Sequence, residues 1–386
     1  MKIGIDKMGF YTPHLVLDMT DLAHARGDDP DKYHIGIGQS EMAVMPLTQD
    51  VVTMAANAAD QILDDADRAS IDLILFATES GIDNSKSGAV YVQRLLGLTE
   101  HSRAIEVKQA CYSATAAIQL AKDYVAAHPK RRVLVLASDV ARYGLQTPGE
   151  ITQGGGAVAM VISAEPQMIA ISDDSVYLTQ DVMDFWRPVY ATEARVDGHF
   201  SANIYIDFFT DVWTRYKQAT QENIADFDAL LFHLPFSKMG LKALRTVLPE
   251  DEVAKQRLTT NFEAARLWNR HVGNLYTGSL YLSLLSLLAN GHLVGGEHLG
   301  LFSYGSGAEG EFYTATVQAD YHNGFDQSAI LQVLNNRQQV TVAQYEQLFA
   351  DQLPTDGSTR KLDPANDPAR FVLTGIENEQ RQYSAH

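Results

Sequence analysis

Runs of consecutive apolar residues alternate with helical patterns along the first half of the chain. Ile71 to Ala77 and Arg132 to Ala137 are almost continuously apolar and predict buried strands. Two segments have helical spacing, Ser87 to Leu96 and Cys111 to Ala127, and the second stops before Pro129. Strands that alternate with helices in this way predict a parallel sheet covered by helices on both faces.

The same criteria predict elements in the rest of the chain. Strands are predicted at Ile3 to Ile5, in the alternating segment after Arg103, and at Gly154 to Ile162, Pro166 to Ser172, Asp228 to His233, Leu299 to Tyr304, Phe312 to Val317 and, as an edge strand, Arg370 to Thr374. Helices are predicted from about Asp50 to Asp65, Ser201 to Thr220, Phe236 to Val247, Asp251 to Lys255, Phe262 to Arg270 and Gly273 to Leu288. The stretch through Gln39 is polar and is expected to be irregular. Both halves contain a glycine-rich turn that leads into an apolar strand, which indicates a weak internal repeat.

Composition and charge exclude some classes of binding partner and indicate a cellular compartment. The formal net charge is −18 over 386 residues, so no broad basic surface can neutralise the phosphates of a nucleic acid or an anionic membrane. A single cysteine cannot form an intramolecular disulfide and fits a reducing compartment. The N-terminus has no apolar signal core, and the longest apolar-rich run, Leu280 to Ala289, is too short to cross a membrane. We therefore expect a cytoplasmic protein.

The only cysteine, Cys111, lies where a predicted strand turns through small residues into an alanine-rich helix. A helix N-terminus lowers the pKa of a thiol and favours the nucleophilic thiolate, which makes Cys111 a candidate nucleophile. The alternative is a small buried residue, the usual state of a free cysteine. This stretch alone leaves both interpretations open.

Three other polar residues lie at the ends of predicted elements. His233 ends a strand, where side chains line the crevice of a parallel sheet, and its reaction partner would be Cys111. A structural or surface histidine is the more common case. Glu79 ends another strand and is either a helix cap or a buried carboxylate with a raised pKa, suited to proton abstraction. Asn274 precedes a helix, as an N-cap residue does.

The stretch from Gly305 to Gly310 has the form G-x-G-x-x-G, but a predicted strand follows it, so we reject a dinucleotide site. A backbone oxyanion donor near Ser306 fits a tight glycine turn better. The sequence has neither the Cys/His spacing of a metal site nor a His-Glu-x-x-His motif, so no catalytic metal is expected.

Together, Cys111 at a helix start, His233 at a strand end and Asn274 opening a helix resemble the thiolase superfamily. Within it the sequence is most similar to the bacterial type of 3-hydroxy-3-methylglutaryl-CoA synthase. The stretches that carry the similarity are Gln109 to Thr115, Ser138 to Ala141, Met183 to Pro188, His233 to Phe236, Gly273 to Leu280 and Ser303 to Gly307. This resemblance implies an α/β fold with a layered αβαβα architecture and, usually, a homodimer. The two related halves would be residues 1–165, with Glu79 and Cys111, and residues 166–386, with His233 and Asn274.

The resemblance also implies a reaction, the condensation of acetyl-CoA with acetoacetyl-CoA and water to 3-hydroxy-3-methylglutaryl-CoA and free CoA, on the mevalonate route to isoprenoids. Cys111 would carry the acetyl group, Glu79 would deprotonate its methyl group, and His233 would hydrogen-bond or protonate the ketone oxygen of acetoacetyl-CoA. Backbone N–H groups of Cys111 and Ser306 would hold the thioester oxygen. The CoA thioesters are substrates, and no cofactor is implied.

Further substrate-binding residues follow from the resemblance. Asn274 would place the acetoacetyl group. The residues implied near the acyl site are Tyr143, Asp139 and Asp184, and those along the CoA path are Thr152, Ser201, Pro235 and Lys238. Lys238 and Lys242 would also supply the local positive charge that CoA phosphates need on an acidic protein.

Two alternatives remain at this point. One is a ketoacyl synthase of fatty-acid initiation, which acts on an acyl carrier protein. The carboxylate at Glu79 and the lack of an evident basic docking patch count against it. The other is a non-catalytic acyl-CoA-binding protein of the same fold, in which the thiol of Cys111 would be inert.

Overall fold

The computed structural model describes all 386 residues, and the near-continuous apolar runs form the inner strands of one large sheet. The strands are β1 Ile3–Tyr11, β2 Leu15–Asp18, β3 Glu41–Val44, β4 Ile71–Ala77, β5 Arg103–Val107, β6 Arg132–Ala141, β7 Gly154–Ala164, β8 Ile169–Ile171, β9 Val176–Thr179, β10 Phe185–Trp186, β11 Arg195–Val196, β12 Ala229–Phe232, β13 His298–Gly305, β14 Glu309–Val317, β15 Gln338–Gln339, β16 Arg360–Lys361, β17 Phe371–Glu377 and β18 Gln380–Ala385.

Helices flank the sheet and connect its strands. They are α1 Met19–Arg26, α2 Val51–Asp60, α3 Asp65–Ser70, α4 Gly88–Leu95, α5 Ser113–Ala127, α6 Gly198–Thr220, α7 Ser237–Arg245, α8 Glu252–Arg266, α9 Asn269–Val272, α10 Ser279–Asn290, α11 Gln327–Asn335 and α12 Val342–Ala350. No helix combines the length and the apolar composition that crossing a bilayer requires.

The ten-stranded sheet contains the same arrangement twice. Its order is β12-β13-β14-β8-β1-β7-β6-β4-β5, with β9 paired to β14. In one part β4 is parallel to β6, β6 is antiparallel to β7, and β7 is antiparallel to β1. In the other part β12, β13, β14 and β8 follow one another with the same relative directions. The two parts meet through a short antiparallel contact between β1 and β8. The weak repeat seen in the sequence is therefore a repeat of topology.

Alternation along the strands places one core on each face. In β6, Val133 and Val135 belong to the same buried cluster as residues of α5 and α10, whereas Leu134 and Leu136 belong to the cluster under α2 and α4. Strand β12 shows the same pattern, with its other face buried against α6, α7 and α8. Because successive side chains point to opposite faces, a continuous apolar run is what a strand needs when helices cover both sides. The two parts of the sheet share the cluster around α5 and α10, and each buries its other face under helices of its own. The result is the layered αβαβα architecture, with α5 and α10 in the central layer.

Most predicted elements are confirmed, several with shifted ends. The strand predicted at Ile71 to Ala77 has those bounds in β4, and the strand at Ile3 to Ile5 continues to Tyr11. The expectation of an irregular region through Gln39 is wrong. Strand β2 and helix α1 form there, and Asp18 caps α1 by accepting from the backbone N–H of Thr20.

Two further expectations need correction in the second half. The helices predicted at Asp251 to Lys255 and Phe262 to Arg270 are the single helix α8 followed by the short α9. Buried Leu258 joins the two predicted parts, since it packs on the same face as Phe262. The strand predicted from Arg370 belongs to a separate three-stranded sheet of β16, β17 and β18 and not to the edge of the main sheet.

Candidate functional site

Cys111 and Glu79 form a direct pair. The Sγ of Cys111 donates to Oε1 of Glu79 at 3.1 Å. Cys111 and Glu79 come together because they follow β5 and β4, which are adjacent parallel strands with Ala77 opposite Val107. Glu79 follows the end of β4, and Cys111 lies in the turn between β5 and α5, so both side chains lie at the same carboxyl edge of the sheet.

The turn before α5 is held in an unusual conformation. Ala110 has a left-handed φ of 43°, which a residue with a Cβ adopts only at some cost in free energy. Helix α5 begins at Ser113, so Cys111 precedes the first helical residue and does not occupy it. The expectation of a cysteine at the helix start is thus correct to within two residues.

The electrostatics of this pair differ from those expected for a helix N-terminus. Burial, followed by the charge of Glu79 and the hydrogen bond to it, raises the pKa of the Cys111 thiol well above its ordinary value. Burial, and secondarily the charge of Asp139, raises the pKa of Glu79 to about 8. The prediction of a thiol with a lowered pKa is therefore wrong: the free protein holds a neutral thiol beside a carboxyl group that can accept its proton.

Asp139 holds the loop that carries Glu79 in place through hydrogen bonds. It is fully buried, and its Oδ1 accepts from the backbone N–H of Glu79 at 2.9 Å and from the Thr78 hydroxyl at 2.8 Å. Its Oδ2 accepts from the backbone N–H and the hydroxyl of Thr277 at 3.1 and 2.6 Å. Burial raises the pKa of Asp139 despite these hydrogen bonds. Asp139 thus joins the loop of Glu79 to the turn that follows Asn274.

Asp184 holds the turn of Ser306 in a similar way. Its side chain accepts from the backbone N–H of Gly307 at 3.0 Å, from the Tyr304 hydroxyl at 2.8 Å and from the Ser201 hydroxyl at 3.0 Å. The backbone N–H of Ser306 has no hydrogen-bond partner within the protein. A backbone donor left free at a braced turn is suited to bind an oxyanion.

Gly305 allows this turn to approach the cysteine. A Cβ at Gly305 would lie 2.6 Å from the backbone nitrogen of Tyr112 and 2.7 Å from the carbonyl oxygen of Gln109. Any other residue would push the Ser306 turn away from the turn that carries Cys111.

His233 follows β12 and is buried, with 2% exposure. Its backbone is fixed by the carbonyl of Phe302, to which it donates at 2.8 Å, and by the hydroxyl of Tyr205, from which its own carbonyl accepts at 2.8 Å. Burial lowers the pKa of His233 to about 3, so the imidazole is neutral. No hydrogen bond joins it to Cys111. The thiol of Cys111 donates instead to Glu79, and the expectation that His233 acts together with Cys111 in the reaction stays a prediction.

Asn274 is not the helix N-cap that the sequence predicts, because Leu275 precedes the 3-10 turn and Gly278 precedes α10. Its Oδ1 accepts from the backbone N–H of Tyr276 at 2.8 Å and from the hydroxyl of Ser279 at 3.0 Å, which closes the 3-10 turn before α10. These hydrogen bonds use the oxygen of the amide, so the Nδ2 group is its donor. It faces the Tyr143 hydroxyl.

Comparison with known proteins decides between the alternatives. Family profiles described as "Hydroxymethylglutaryl-coenzyme A synthase N terminal" and "C terminal" match residues 1–167 and residues 173–264 and 250–355. The chain is 48% identical to hydroxymethylglutaryl-CoA synthase of Enterococcus faecalis over 386 residues, which cover 99% of this chain and 100% of that protein. The chain belongs to the hydroxymethylglutaryl-CoA synthase family. It is a hydroxymethylglutaryl-CoA synthase of the mevalonate pathway and not a ketoacyl synthase or a non-catalytic binding protein.

Solved structures of the synthase family agree. A crystal structure of HMG-CoA synthase complexed with CoA superimposes with a TM-score of 0.97 at 42% identity, with all of both chains covered. A structure of MvaS in complex with 3-hydroxy-3-methylglutaryl coenzyme A has a TM-score of 0.89 at 33% identity and covers 100% of this chain and 99% of that one.

In this synthase, side chains from three segments enclose Cys111. We call Ala141, Tyr143, Phe185, Ala194 and Tyr276 the aromatic chamber, because they form one apolar cluster against which Cys111 packs. Burial raises the pKa of Tyr143 above its ordinary value, so its hydroxyl remains protonated. The chamber gives the thiol apolar surroundings, which accounts for much of its raised pKa.

The residues that the sequence predicts along the CoA path lie on several separate elements. Lys238 and Lys242 lie one turn apart on α7, and neither forms an ion pair with an acid. Pro235 lies in the loop that joins β12 to α7. Ser201 donates to Asp184, which links it to the Ser306 turn. Thr152 ends the short 3-10 turn before Gln153, whose carbonyl oxygen contacts Gly273.

Some residues of the site had no signal of their own in the sequence. Thr277 and Tyr304 bind the two buried aspartates across 138 and 120 positions of the chain. Arg187, whose guanidinium donates to the carbonyl of Glu79, and Phe185 lie within the stretch Met183 to Pro188 that carries the family similarity. A cleft of about 950 Å³ reaches Glu79, Arg187 and Ser306 from the surface.

Proposed function

We propose that Cys111 is the nucleophile of this synthase and that Glu79 is its base. The observation that carries the proposal is the 3.1 Å hydrogen bond from the thiol to a carboxyl group whose pKa is about 8. A base of that pKa can take the thiol proton, release it to the departing CoA sulfur and then remove a proton from the acetyl methyl group. The enolate that results adds to the ketone of acetoacetyl-CoA, and water frees the product.

His233 acts in the addition as a hydrogen-bond donor and not as a cation. An imidazole with a pKa of about 3 carries no charge at neutral pH, yet its N–H group can stabilise the oxygen on which charge develops. The backbone N–H of Ser306, left without a partner in a turn braced by Asp184, holds the thioester oxygen together with the N–H of Cys111. Asn274 places the acetoacetyl group through its Nδ2, which faces the Tyr143 hydroxyl.

CoA binds along α7 and the loops beside it. Lys238 and Lys242 are free of acidic partners and meet its phosphates, as an acidic protein requires of an anionic ligand. Thr152, Ser201 and Pro235 line the path from there towards the cysteine, and Tyr143, Asp139 and Asp184 shape its inner end. The relatives that bind CoA and 3-hydroxy-3-methylglutaryl-CoA support this ligand class.

The protein forms a homodimer through β5. This strand is the last of the ten-stranded sheet, so its outer edge has no partner, and Ile105 is 49% exposed there. An unpaired edge strand that exposes an apolar side chain can pair with a strand of another chain. The topological repeat supports a division into residues 1–165 and 166–386, and the free thiol fits a cytoplasmic location.

The test is mass spectrometry of the protein after mixing with acetyl-CoA alone. We expect one acetyl group on Cys111 in the wild-type chain and none in Cys111→Ala. Adding acetoacetyl-CoA should discharge the acetyl group as product. Glu79→Ala should make no product, and normal product formation by this variant would remove Glu79 from its role. An unmodified Cys111 in the wild-type chain would refute the nucleophile assignment.

A further inference from the structure

The aromatic chamber leaves little room beside the cysteine. The ring centroids of Tyr143, Phe185 and Tyr276 lie 6.0, 6.2 and 5.8 Å apart pairwise, in edge-on contact. Phe185 and Tyr276 are 8% and 1% exposed. Each ring touches the other two, so the three together form a closed wall on the side of Cys111 that packs against them.

We propose that Phe185 limits the acyl group on Cys111 to two carbons and so sets the choice of acyl donor. This inference rests on the proposed acyl-cysteine intermediate and adds a specificity determinant to it. An acetyl group presents only a methyl to the wall, whereas a propionyl group must fit one more carbon against the wall that Phe185 forms with Tyr143 and Tyr276.

The three rings can discriminate between acyl groups by size only if they keep their positions. Residues on both sides of Phe185 in the sequence are held by hydrogen bonds. Asp184, the preceding residue, is fully buried and held by its three hydrogen bonds to Ser201, Tyr304 and Gly307. On the other flank, the guanidinium of Arg187 donates to the carbonyl of Glu79.

Phe185 lies in the hairpin formed by β10 and β11, and β11 is also held by backbone hydrogen bonds. Phe185 pairs with Val196 across β10 and β11. The backbone N–H of Ala194 donates to the carbonyl of Arg142 at 3.0 Å. Moving the hairpin outward would break these backbone bonds, and the ring itself is packed against Tyr143 and Tyr276, so the space next to Cys111 keeps its size.

Phe185 is the wall residue whose removal changes volume alone. Tyr143 and Tyr276 each bring a hydroxyl into the chamber, and replacing them would alter hydrogen bonding together with size. The other members, Ala141 and Ala194, are short side chains that cannot extend into space vacated by the ring. Trimming Phe185 therefore leaves a cavity beside the thiol that a longer acyl chain can fill.

The chemical step is the same for both donors. The Sγ of Cys111 forms a bond to the carbonyl carbon of acyl-CoA, the bond from that carbon to the CoA sulfur breaks, and the proton of the thiol passes through Glu79 to the CoA sulfur. One thioester replaces another, and no further reactant is needed.

The experiment measures acylation of the full-length protein by acetyl-CoA and by propionyl-CoA, each without acetoacetyl-CoA, with the adducts followed by mass spectrometry. We expect the wild-type chain to take acetyl much faster than propionyl. In Phe185→Ala the ratio of propionyl to acetyl rates should rise by roughly tenfold or more, since one methylene in a pocket is worth that much discrimination. Phe185→Leu should give a smaller rise and serves if the alanine variant does not fold.

Tyr190→Ala is the matched control, because it also removes an aromatic ring from this hairpin, but one that is 83% exposed. It should keep the wild-type ratio. A wild-type chain that takes propionyl as fast as acetyl overturns the proposal, as does an unchanged ratio in Phe185 variants that still acetylate. A wild-type chain that takes neither group refutes the acyl-cysteine intermediate itself, which is a different failure.

Discussion

Replacing Glu79 by glutamine is expected to stabilise the folded protein while it removes the proposed base. Glutamine has nearly the shape of glutamate, and its carbonyl oxygen can still accept from the Cys111 thiol. It carries no titratable proton, however. The comparison therefore isolates the free energy that the fold loses by burying a carboxyl group beside Cys111.

The magnitude follows from the pKa of Glu79. Burial raises this pKa from an ordinary value of 4.5 to about 8. Below pH 4.5 the carboxyl is neutral in both the folded and the unfolded chain, so it costs nothing. As the pH rises towards 8 the unfolded chain ionises first, and the folded state loses stability relative to it. Above pH 8 both states are ionised and the loss stays constant.

The full difference corresponds to about 5 kcal/mol, at about 1.4 kcal/mol for each unit of pKa. Because the Glu79 side chain is only half-buried at the end of an open cleft, water shares part of its charge, and we expect about half of this value. Glu79→Gln should thus gain about 2 to 3 kcal/mol over the wild-type chain at pH 8 and almost nothing at pH 5.

The assay is urea-induced unfolding of both proteins at pH 5, 6, 7 and 8, with reversibility checked at each pH. The measured quantity is the difference in the free energy of unfolding between the two proteins. Glu100→Gln, which removes one negative charge from an exposed site before β5, is the control. A difference for Glu79→Gln that stays constant from pH 5 to pH 8 would refute the reasoning that burial keeps this carboxyl neutral.

Other predictions follow from the same structure. The rate of acetylation by acetyl-CoA should rise with pH to a half-maximum near 8, because Glu79 must lose its proton to act as a base, and a rate independent of pH from 6 to 9 would count against it. Asp139→Ala should lower the free energy of unfolding by about 3 kcal/mol or more in urea titrations and abolish product formation, since several buried donors lose their acceptor. Tyr383→Phe removes a 2.7 Å hydrogen bond to Asp50, the N-cap of α2, and should cost about 1 to 2 kcal/mol of stability with an unchanged acetylation rate; a slower rate would show that this C-terminal contact reaches the site. Ile105→Lys should convert the proposed dimer to monomers in light scattering, and a persistent dimer would place the interface elsewhere.

The sequence by itself determined the elements whose patterns are local. Strand β4 has the bounds that its apolar run predicts. A strand buried on both faces needs an apolar residue at nearly every position, so its ends can be identified from the local sequence alone. The placement of Glu79 and Cys111 at the ends of adjacent parallel strands follows from the same pattern. Before Gln39 the sequence missed β2 and α1, since the apolar stretches there are short and their buried faces are completed by Val340 and Tyr345, far along the chain.

Only the tertiary structure decided the chemistry of the site. A helix N-terminus lowers the pKa of a thiol, but burial and the carboxyl group of Glu79, which lies 32 positions away in the sequence, raise that of Cys111 and prevail. The same holds for His233, whose burial lowers the pKa of its imidazole to about 3 and keeps it neutral, which no local pattern in the sequence indicates. Desolvation and charge depend on the atoms that surround a group in space, and most of those atoms come from segments far away along the chain. The sequence therefore indicated the candidate reactive residues, and the packing around them decided their protonation states.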